Sequence, residues 1–301
     1  MPADIQRLEM DSLPCWRMRL GDAELLVAEQ GAQLLSYRQG DAPPVIWLSE
    51  QAAFEAGQSV RGGVPVCWPW FGDLRRNPAE IQTMFDGSDP APAPAHGLVR
   101  AIDWVLETQD ADSAFLEFVC PQARHGLPGW PHPVDLRLRV SLNNDGLQLE
   151  LSSQNLGDQP VALSQALHSY FAVSDIRDVS VEGLAGRRYI ETLEGWDERQ
   201  QQGDLRFTSE TDRIYLDLPD RLALIDPGWQ RRINLQASRS ASAVLWNPWI
   251  DKAQRLSQFA DDAWQRMLCI ETANVLGDRV LLQPGERHSL QLKISVEALA
   301  N

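Results

Sequence analysis

The 301-residue sequence lacks the short motifs that carry several common chemistries. It has no Gly-x-Ser-x-Gly elbow, no phosphate loop ending in Gly-Lys-Ser/Thr, no His-Glu-x-x-His and no Cys-x-x-Cys. Serine-type, nucleotide and metal-assisted hydrolysis therefore lose their usual sequence support. No apolar run approaches the length of a membrane span, so no membrane partner is expected. The first residues, Met-Pro-Ala-Asp-Ile-Gln-Arg, lack an apolar signal region, and nothing there points to export. Paired cysteine spacing is also missing: Cys15, Cys67, Cys120 and Cys269 stand apart. Buried free thiols in a reducing cytoplasm are the expected reading, without a zinc site. Positive charge is scarce, with 27 Lys and Arg against 42 Asp and Glu and a formal net charge of −15. That balance argues against a nucleic-acid partner, whose phosphates would be repelled.

Helical signals are few, and period-2 alternation dominates. Val134, Leu136, Leu138, Val140 and Leu142 alternate with Asp135, Arg137, Arg139 and Ser141. After Asn143-Asn144-Asp145-Gly146 the alternation resumes with Leu147, Leu149 and Leu151. This predicts a hairpin in which Asp-Gly supplies the positive φ of a primed turn. A second alternating run, Leu290 to Val296, follows the Pro284-Gly285-Glu286 turn. Shorter strands are expected at 24–28, 33–37, 114–120, 178–182, 222–226, 231–236, 242–247, 268–272 and 279–283. Residues 49–56 and 257–267 are expected to form short helices, with Ser49 and Ser257 as N-caps. Residues 86–95 read as a mobile surface loop, too short for a domain linker. With 44% apolar residues and no visible repeat, the chain is expected to be mainly β, a sandwich or barrel over residues 1–301.

Five places could carry chemistry. In Arg61-Gly-Gly-Val-Pro-Val-Cys-Trp-Pro-Trp-Phe-Gly72, the glycines allow close backbone approach to a ligand. Trp68, Trp70 and Phe71 offer flat faces for a sugar, and Arg61 could fork onto phosphate oxygens. The same residues also fit a plain corner over the core, since tryptophans are mostly buried. His96-Gly-Leu-Val-Arg100 follows the loop and leads into a strand, where a scaffold presents functional groups, though a Gly turn with a solvated arginine also fits. His168, in Ala-Leu-His-Ser-Tyr-Phe, is a candidate general acid or a satisfied core histidine. Glu271, in Cys-Ile-Glu-Thr-Ala-Asn, is a candidate general base, because a carboxylate in an apolar strand needs a partner or a polar cavity. Asp212 could bind sugar hydroxyls, cap a turn or pair with Arg213.

Taken together, Arg61–Gly72, His96–Arg100, Leu167–Phe171, Asp212–Tyr215, Trp246–Pro248 and Cys269–Asn274 resemble, in order and over most of the chain, the bacterial hexose-6-phosphate mutarotases, or glucose-6-phosphate 1-epimerases. The resemblance implies a galactose-mutarotase-like β-supersandwich of large antiparallel sheets with a few short helices. It implies His168 as general acid, Glu271 as general base, Arg61 and Arg100 as phosphate ligands, Asp212 as orienter of sugar hydroxyls and His96 as a pocket residue. Trp68-Pro-Trp70 resembles the aromatic-rich form of a variable turn. The expected partner is a small sugar phosphate, handled without cofactor or metal by a cytoplasmic monomer.

The residue types suit that chemistry. Mutarotation takes a proton from the anomeric hydroxyl and gives one to the ring oxygen; the ring opens, C1–C2 rotates, and the ring closes on the other face. An ionised Glu271 and a protonated His168 are expected to serve, on opposite sides of a sugar-sized space. Two alternatives share the fold: an aldose 1-epimerase of unphosphorylated sugars, and a non-catalytic sugar-phosphate-binding protein without a close acid–base pair. Glycoside hydrolysis would need two positioned carboxyl groups, a role that Asp212 and Glu271 could imitate.

Overall fold

The alternating segments become antiparallel strands. The computed structural model describes residues 2–87 and 93–299; residues 88–92, the centre of the loop expected over 86–95, lie outside the described residues. Val134–Asn143 and Gly146–Asn155 pair as the expected hairpin, closed by Asn143 opposite Gly146. Its turn differs from expectation. Gly146 alone takes positive φ there, at 130°, and the Asn143 side chain accepts the Asp145 N–H at 2.8 Å. An Asx turn thus replaces the primed turn.

The larger sheet has nine strands, in the order Leu205–Arg206, Ser180–Glu182, Arg221–Asp226, Arg231–Ser238, Arg287–Ala298, Gly146–Asn155, Val134–Asn143, Phe115–Val119 and Val105–Asp110. A second sheet of eight strands runs Asp197–Gln200, Arg188–Glu191, Thr211–Leu216, Ser242–Asn247, Met267–Asn274, Gln165–Leu167 and Val66–Cys67, with Tyr170–Ala172 also paired to Met267–Asn274. Asp4–Met10, Leu13–Leu20, Ala23–Ala28 and Leu34–Gln39 form a smaller sheet. Leu136, Leu138, Leu149 and Leu292 of the larger sheet share one buried cluster with Leu245, Leu268, Ile270 and Phe171 of the second. The two sheets therefore bury their inner faces against each other. The fold is the mainly β, large-sheet architecture that the alternation implies, with short helices only. No helix among the described residues is long and apolar enough to cross a membrane.

The two expected helices do not form, because tertiary hydrogen bonds compete. The Ala53 N–H is taken by Gln258 Oε1 at 2.9 Å, and Ser49 Oγ donates to the Gln258 carbonyl at 2.7 Å. Gln258 itself has φ 55°, which interrupts a right-handed helix and leaves only a 3₁₀ turn at Ala263–Arg266. The α-helical turns lie elsewhere, at Ala79–Gln82 and Trp249–Ala253.

Gly62 and Gly63 serve the fold rather than a ligand. A Cβ on Gly63 would sit 2.3 Å from the Leu34 carbonyl oxygen, and one on Gly62 would sit 2.8 Å from the Leu48 Cα. Their bareness lets the segment after Arg61 press against the strand Leu34–Gln39 on one side and the backbone of Trp47, Leu48 and Ser49 on the other. Gly63, at φ 68°, has no room for a side chain and a backbone that disfavours one. Gly63→Ala should therefore lower the unfolding free energy by about 3 kcal/mol or more. Chemical denaturation checks this; a loss below about 1 kcal/mol would show that the packed segments can part to accept the methyl group.

Candidate active site

The register of the eight-stranded sheet sets out the residues of one face in two rows. Ile214 pairs with Val244, and Val244 with Glu271. In the next row Asp212 pairs with Trp246, Trp246 with Cys269, and Cys269 with Tyr170. Residues two apart on a strand share a face, so both rows project from one side. Leu245 and Ile270 point the other way, into the core. Gln165–Leu167 and Tyr170–Ala172 lie along Met267–Asn274 in one unbroken register, with Leu167 opposite Thr272 and Tyr170 opposite Cys269. His168 is therefore the cross-strand neighbour of Glu271, and its own N–H is held by the Pro65 carbonyl at 3.0 Å.

His168 Nε2 lies 3.3 Å from Glu271 Oε1, with the two side chains 8% and 2% exposed. His168 Nδ1 and Glu271 Oε2 have no hydrogen-bond partner among the described residues. The Tyr170 ring stacks on the imidazole at 4.9 Å, while His96 and Trp246 meet it edge-on at 5.3 and 6.4 Å. Burial is the main force on both groups. It pushes the Glu271 carboxyl well above its usual range; the Asp212 charge adds to this and Arg100 opposes it. It also drives the His168 imidazole well below its usual value, helped by His96 and Arg100. Both directions favour a neutral pair, with the proton on Glu271 rather than on His168. The expected pair, an ionised Glu271 and a protonated His168 on opposite sides of a sugar-sized space, differs in two ways: the side chains touch, and burial favours the proton on Glu271.

The pair opens onto a cavity of about 350 Å³, also lined by Arg61, His96 and Asp212. Arg61 donates to the Tyr170 hydroxyl and the Ser257 carbonyl, each at 3.4 Å, and pairs with no carboxylate among the described residues. Asp212 has Lys252 Nζ 3.9 Å away; burial raises its pKa and the ammonium pulls against that. His96, at φ 65°, accepts the Gly72 N–H on Nδ1 at 3.4 Å and faces Cys67 Sγ at 3.5 Å. Burial pushes the Cys67 thiol up to about 12, so it stays a donor. Burial and the Arg100 and Arg61 charges bring His96 down to about 3. His96 is thus neutral, with its proton fixed on Nε2 by the donors at Nδ1.

Three expected binding residues stand outside the cavity wall. Trp68 and Trp70 are 0% and 1% exposed. Their indole N–H groups donate to Ser153 Oγ at 3.1 Å and the Pro94 carbonyl at 2.9 Å, so both belong to the core. Arg100 is half-buried and does not line the cavity. Its Nε has no hydrogen-bond partner among the described residues, and its charge acts on His96, His168 and Glu271. Phe71, the third of the expected flat faces, does line the wall; so do residues to which no role was assigned, Tyr170 and Trp246, which lie in the motif blocks, and Arg76, Trp196 and Lys252, which no motif flags. Trp196 takes φ 62°, a conformation that costs a bulky residue about 1–2 kcal/mol.

His168, Cys269 and Glu271 place one potential metal-ligand atom each within 4.8 Å of the others. Burial drives the Cys269 thiol and the Glu271 carboxyl towards their protonated forms, which hold a cation poorly.

The sequence model described as Aldose 1-epimerase matches residues 14–295. A Cenchrus ciliaris protein with the provisional name glucose-6-phosphate 1-epimerase is 31% identical over 273 residues, which cover 88% of this chain and 79% of that one. A protein of Escherichia coli (strain K12) with the same provisional name is 33% identical over 270 residues, 85% of each chain. Among solved structures, a Salmonella typhimurium protein described provisionally as a mutarotase is 27% identical, with a TM-score of 0.83 over 98% of this chain and 94% of that one.

The buried pair also sets how stability follows pH. The Glu271 carboxyl is raised above its unfolded 4.5, so the unfolded chain releases this proton first. Its contribution is full below 4.5 and is lost as pH climbs towards the folded value. His168 is depressed below 6.5, so stability is lost as pH falls from 6.5 towards its folded value. Glu271→Gln should flatten the alkaline side of Tm against pH and raise Tm at mildly alkaline pH; His168→Asn should flatten the acid side. If Glu271→Gln lost Tm with rising pH as steeply as wild type, Glu271 would be ionising freely in the folded chain.

Proposed function

This chain belongs to the aldose 1-epimerase family, and from that premise we propose that it interconverts the α and β anomers of a hexose 6-phosphate, glucose 6-phosphate first among them. The observation that carries the proposal is the His168–Glu271 contact of 3.3 Å on the wall of a sugar-sized cavity. An acid and a base on opposite sides of the sugar were expected; a side-by-side pair suits the reaction better. The anomeric hydroxyl and the ring oxygen are both bonded to C1, so the two proton transfers occur at neighbouring atoms. The close pair also counts against a merely sugar-binding protein.

In the proposed cycle, the substrate's oxygens hydrogen-bond to the pair and favour its ionised form, and the proton crosses from Glu271 to His168. The Glu271 carboxylate then removes the proton of the C1 hydroxyl while the imidazolium of His168 protonates the ring oxygen. The C1–ring oxygen bond breaks as the C1 carbonyl forms. After rotation about C1–C2, the same steps run backwards and restore both side chains. Asp212 and the Nε2–H of His96 orient sugar hydroxyls. Arg61 binds the phosphate from the wall, and Arg100 adds its charge from outside it. The names of the Escherichia coli and Cenchrus ciliaris relatives support the phosphorylated substrate. Four buried, unpaired cysteines support a cytoplasmic setting, and one buried cluster that joins the inner faces of both large sheets supports a single domain.

Glu271→Gln and His168→Asn should each lower enzymatic anomer exchange by roughly 10²–10⁴-fold. Magnetisation transfer on glucose 6-phosphate measures this once the spontaneous rate is subtracted; near-wild-type exchange in either variant would remove that residue from the mechanism. Specificity has its own test. A charge-assisted hydrogen bond is worth about 1.5–3 kcal/mol, so Arg61→Ala should cut the ratio of kcat/KM for glucose 6-phosphate over glucose by roughly 10–100-fold. An unchanged ratio would instead favour the unphosphorylated-aldose reading.

A further inference from the structure

We infer that Arg76, held over the ring of Trp196, is a second phosphate-binding guanidinium at the cavity rim and helps set the preference for phosphorylated over free sugar. The inference rests on the hexose 6-phosphate reading above.

Charge accounting in the wall leads to it. Arg61, Arg76 and Lys252 are the cations that line the cavity, against the carboxylates of Asp73 and Asp212; Glu271 lines it too, but burial favours its protonated form. Lys252 is engaged by Glu210 at 3.1 Å and Asp212 at 3.9 Å. Asp73 is engaged by the guanidinium of Arg75 at 2.6 Å. Arg76 is exposed, and its guanidinium has no hydrogen bond or ion pair among the described residues, although Asp73, whose carbonyl takes the Arg76 backbone N–H at 3.0 Å, lies near enough to feel its charge. Of two consecutive arginines, one is tied to the local carboxylate and the other is left facing the cavity. In a chain of net charge −15, a phosphate dianion is drawn in only by such uncompensated groups.

Arg76 is also pre-positioned. Its Cζ lies 4.9 Å from the centroid of the Trp196 ring, within cation–π range. The 3₁₀ turn that bears it, Leu74–Arg76, is anchored at both ends. Leu74 is fully buried, and Asn77 Nδ2 donates to the carbonyls of Phe71 at 2.8 Å and Asp73 at 3.0 Å. Trp196 packs on the small apolar cluster of Ile214, Val244 and Val275 that floors the cavity. Its left-handed backbone, in the turn between Arg188–Glu191 and Asp197–Gln200, persists because this packing holds it. A guanidinium stacked on a ring keeps its in-plane N–H groups free to fork onto phosphate oxygens. Arg76 is thus, among the described residues, the second guanidinium in the wall without a carboxylate partner, in the role that the family resemblance had given Arg100.

The test compares kcat and KM for glucose 6-phosphate and free glucose in wild type, Arg76→Ala, Arg76→Lys, Trp196→Phe and Trp196→Leu. Arg76→Ala should raise KM for glucose 6-phosphate about tenfold with a much smaller change in kcat, lower the phosphate preference accordingly, and weaken the rise of KM with ionic strength. Arg76→Lys should recover only part, since it keeps the charge and loses the fork. Trp196→Leu should raise KM in the same direction, and Trp196→Phe, which keeps a ring face, should restore it. A wild type that prefers glucose 6-phosphate together with an Arg76→Ala that keeps wild-type KM overturns this inference alone. Equal loss in Trp196→Leu and Trp196→Phe overturns the positioning role of the ring. A wild type without preference for the phosphorylated sugar overturns the functional reading and this inference with it.

Discussion

The buried contact between His168 and Glu271 is the constraint around which the rest of the site is arranged. Two titratable groups sit side by side on a sheet face, each pushed by burial towards its uncharged form. Neither is relieved by a full set of hydrogen bonds, since Nδ1 of one and Oε2 of the other have no partner among the described residues. Such an arrangement costs stability, and the surroundings restrict how it can be relieved. Tyr170, Trp246 and His96 box the imidazole, so it cannot swing away towards water. His96 is itself kept neutral and in one tautomer, so it adds shape and a donor without adding a titrating charge.

A protonated Glu271 also eases the entry of an anion. The chain carries a net charge of −15, and many of its arginines are engaged by carboxylates away from the cavity: Arg38 with Glu24, Arg137 with Asp135, Arg188 with Glu198. What remains near the cavity is a short inventory of charge. Among the described residues, Arg61 and Arg76 line it without a carboxylate partner, Arg100 nearby makes no ion pair, and Lys252 is shared between two acids. If Glu271 were ionised before substrate arrived, it would offset one of these cations. The burial that tunes the proposed acid–base chemistry therefore also leaves the local field more positive for a phosphate.

Much of this was legible in the sequence, and the failures have physical causes. Strict alternation around Asn143–Gly146 and from Leu290 to Val296 marked strands, because period 2 is the signature of a face half-buried in a sheet. His168 and Glu271 stood out because a polar residue inside an apolar strand needs a reason to be there. Trp68 and Trp70 were ambiguous for a related reason: a tryptophan reads the same whether its N–H finds Ser153 or a sugar. The expected helices at 49–56 and 257–267 were lost to Gln258, whose side chain and left-handed backbone act on both segments from outside any local window. Arg76, Trp196 and Lys252 come from a 3₁₀ turn, a hairpin turn and a short helix that meet only in three dimensions. No spacing in the chain announces such a meeting.

The proposed chemistry asks for two proton-transfer groups one hydrogen-bond length apart, because the two oxygens concerned share a carbon. An antiparallel sheet supplies that spacing by construction, since directly opposed side chains start from Cβ atoms about 4.5–5.5 Å apart. What must then be specified is the register. The alternate residues of the same strands do so: Leu245, Leu268 and Ile270 are buried between the sheets, and a slip of one residue would send Glu271 into that apolar layer. Ile270 and Glu271 are thus neighbours in sequence with opposite tasks, one fixing the register and the other using it. The leucines that hold the sandwich together also hold the acid and the base in contact.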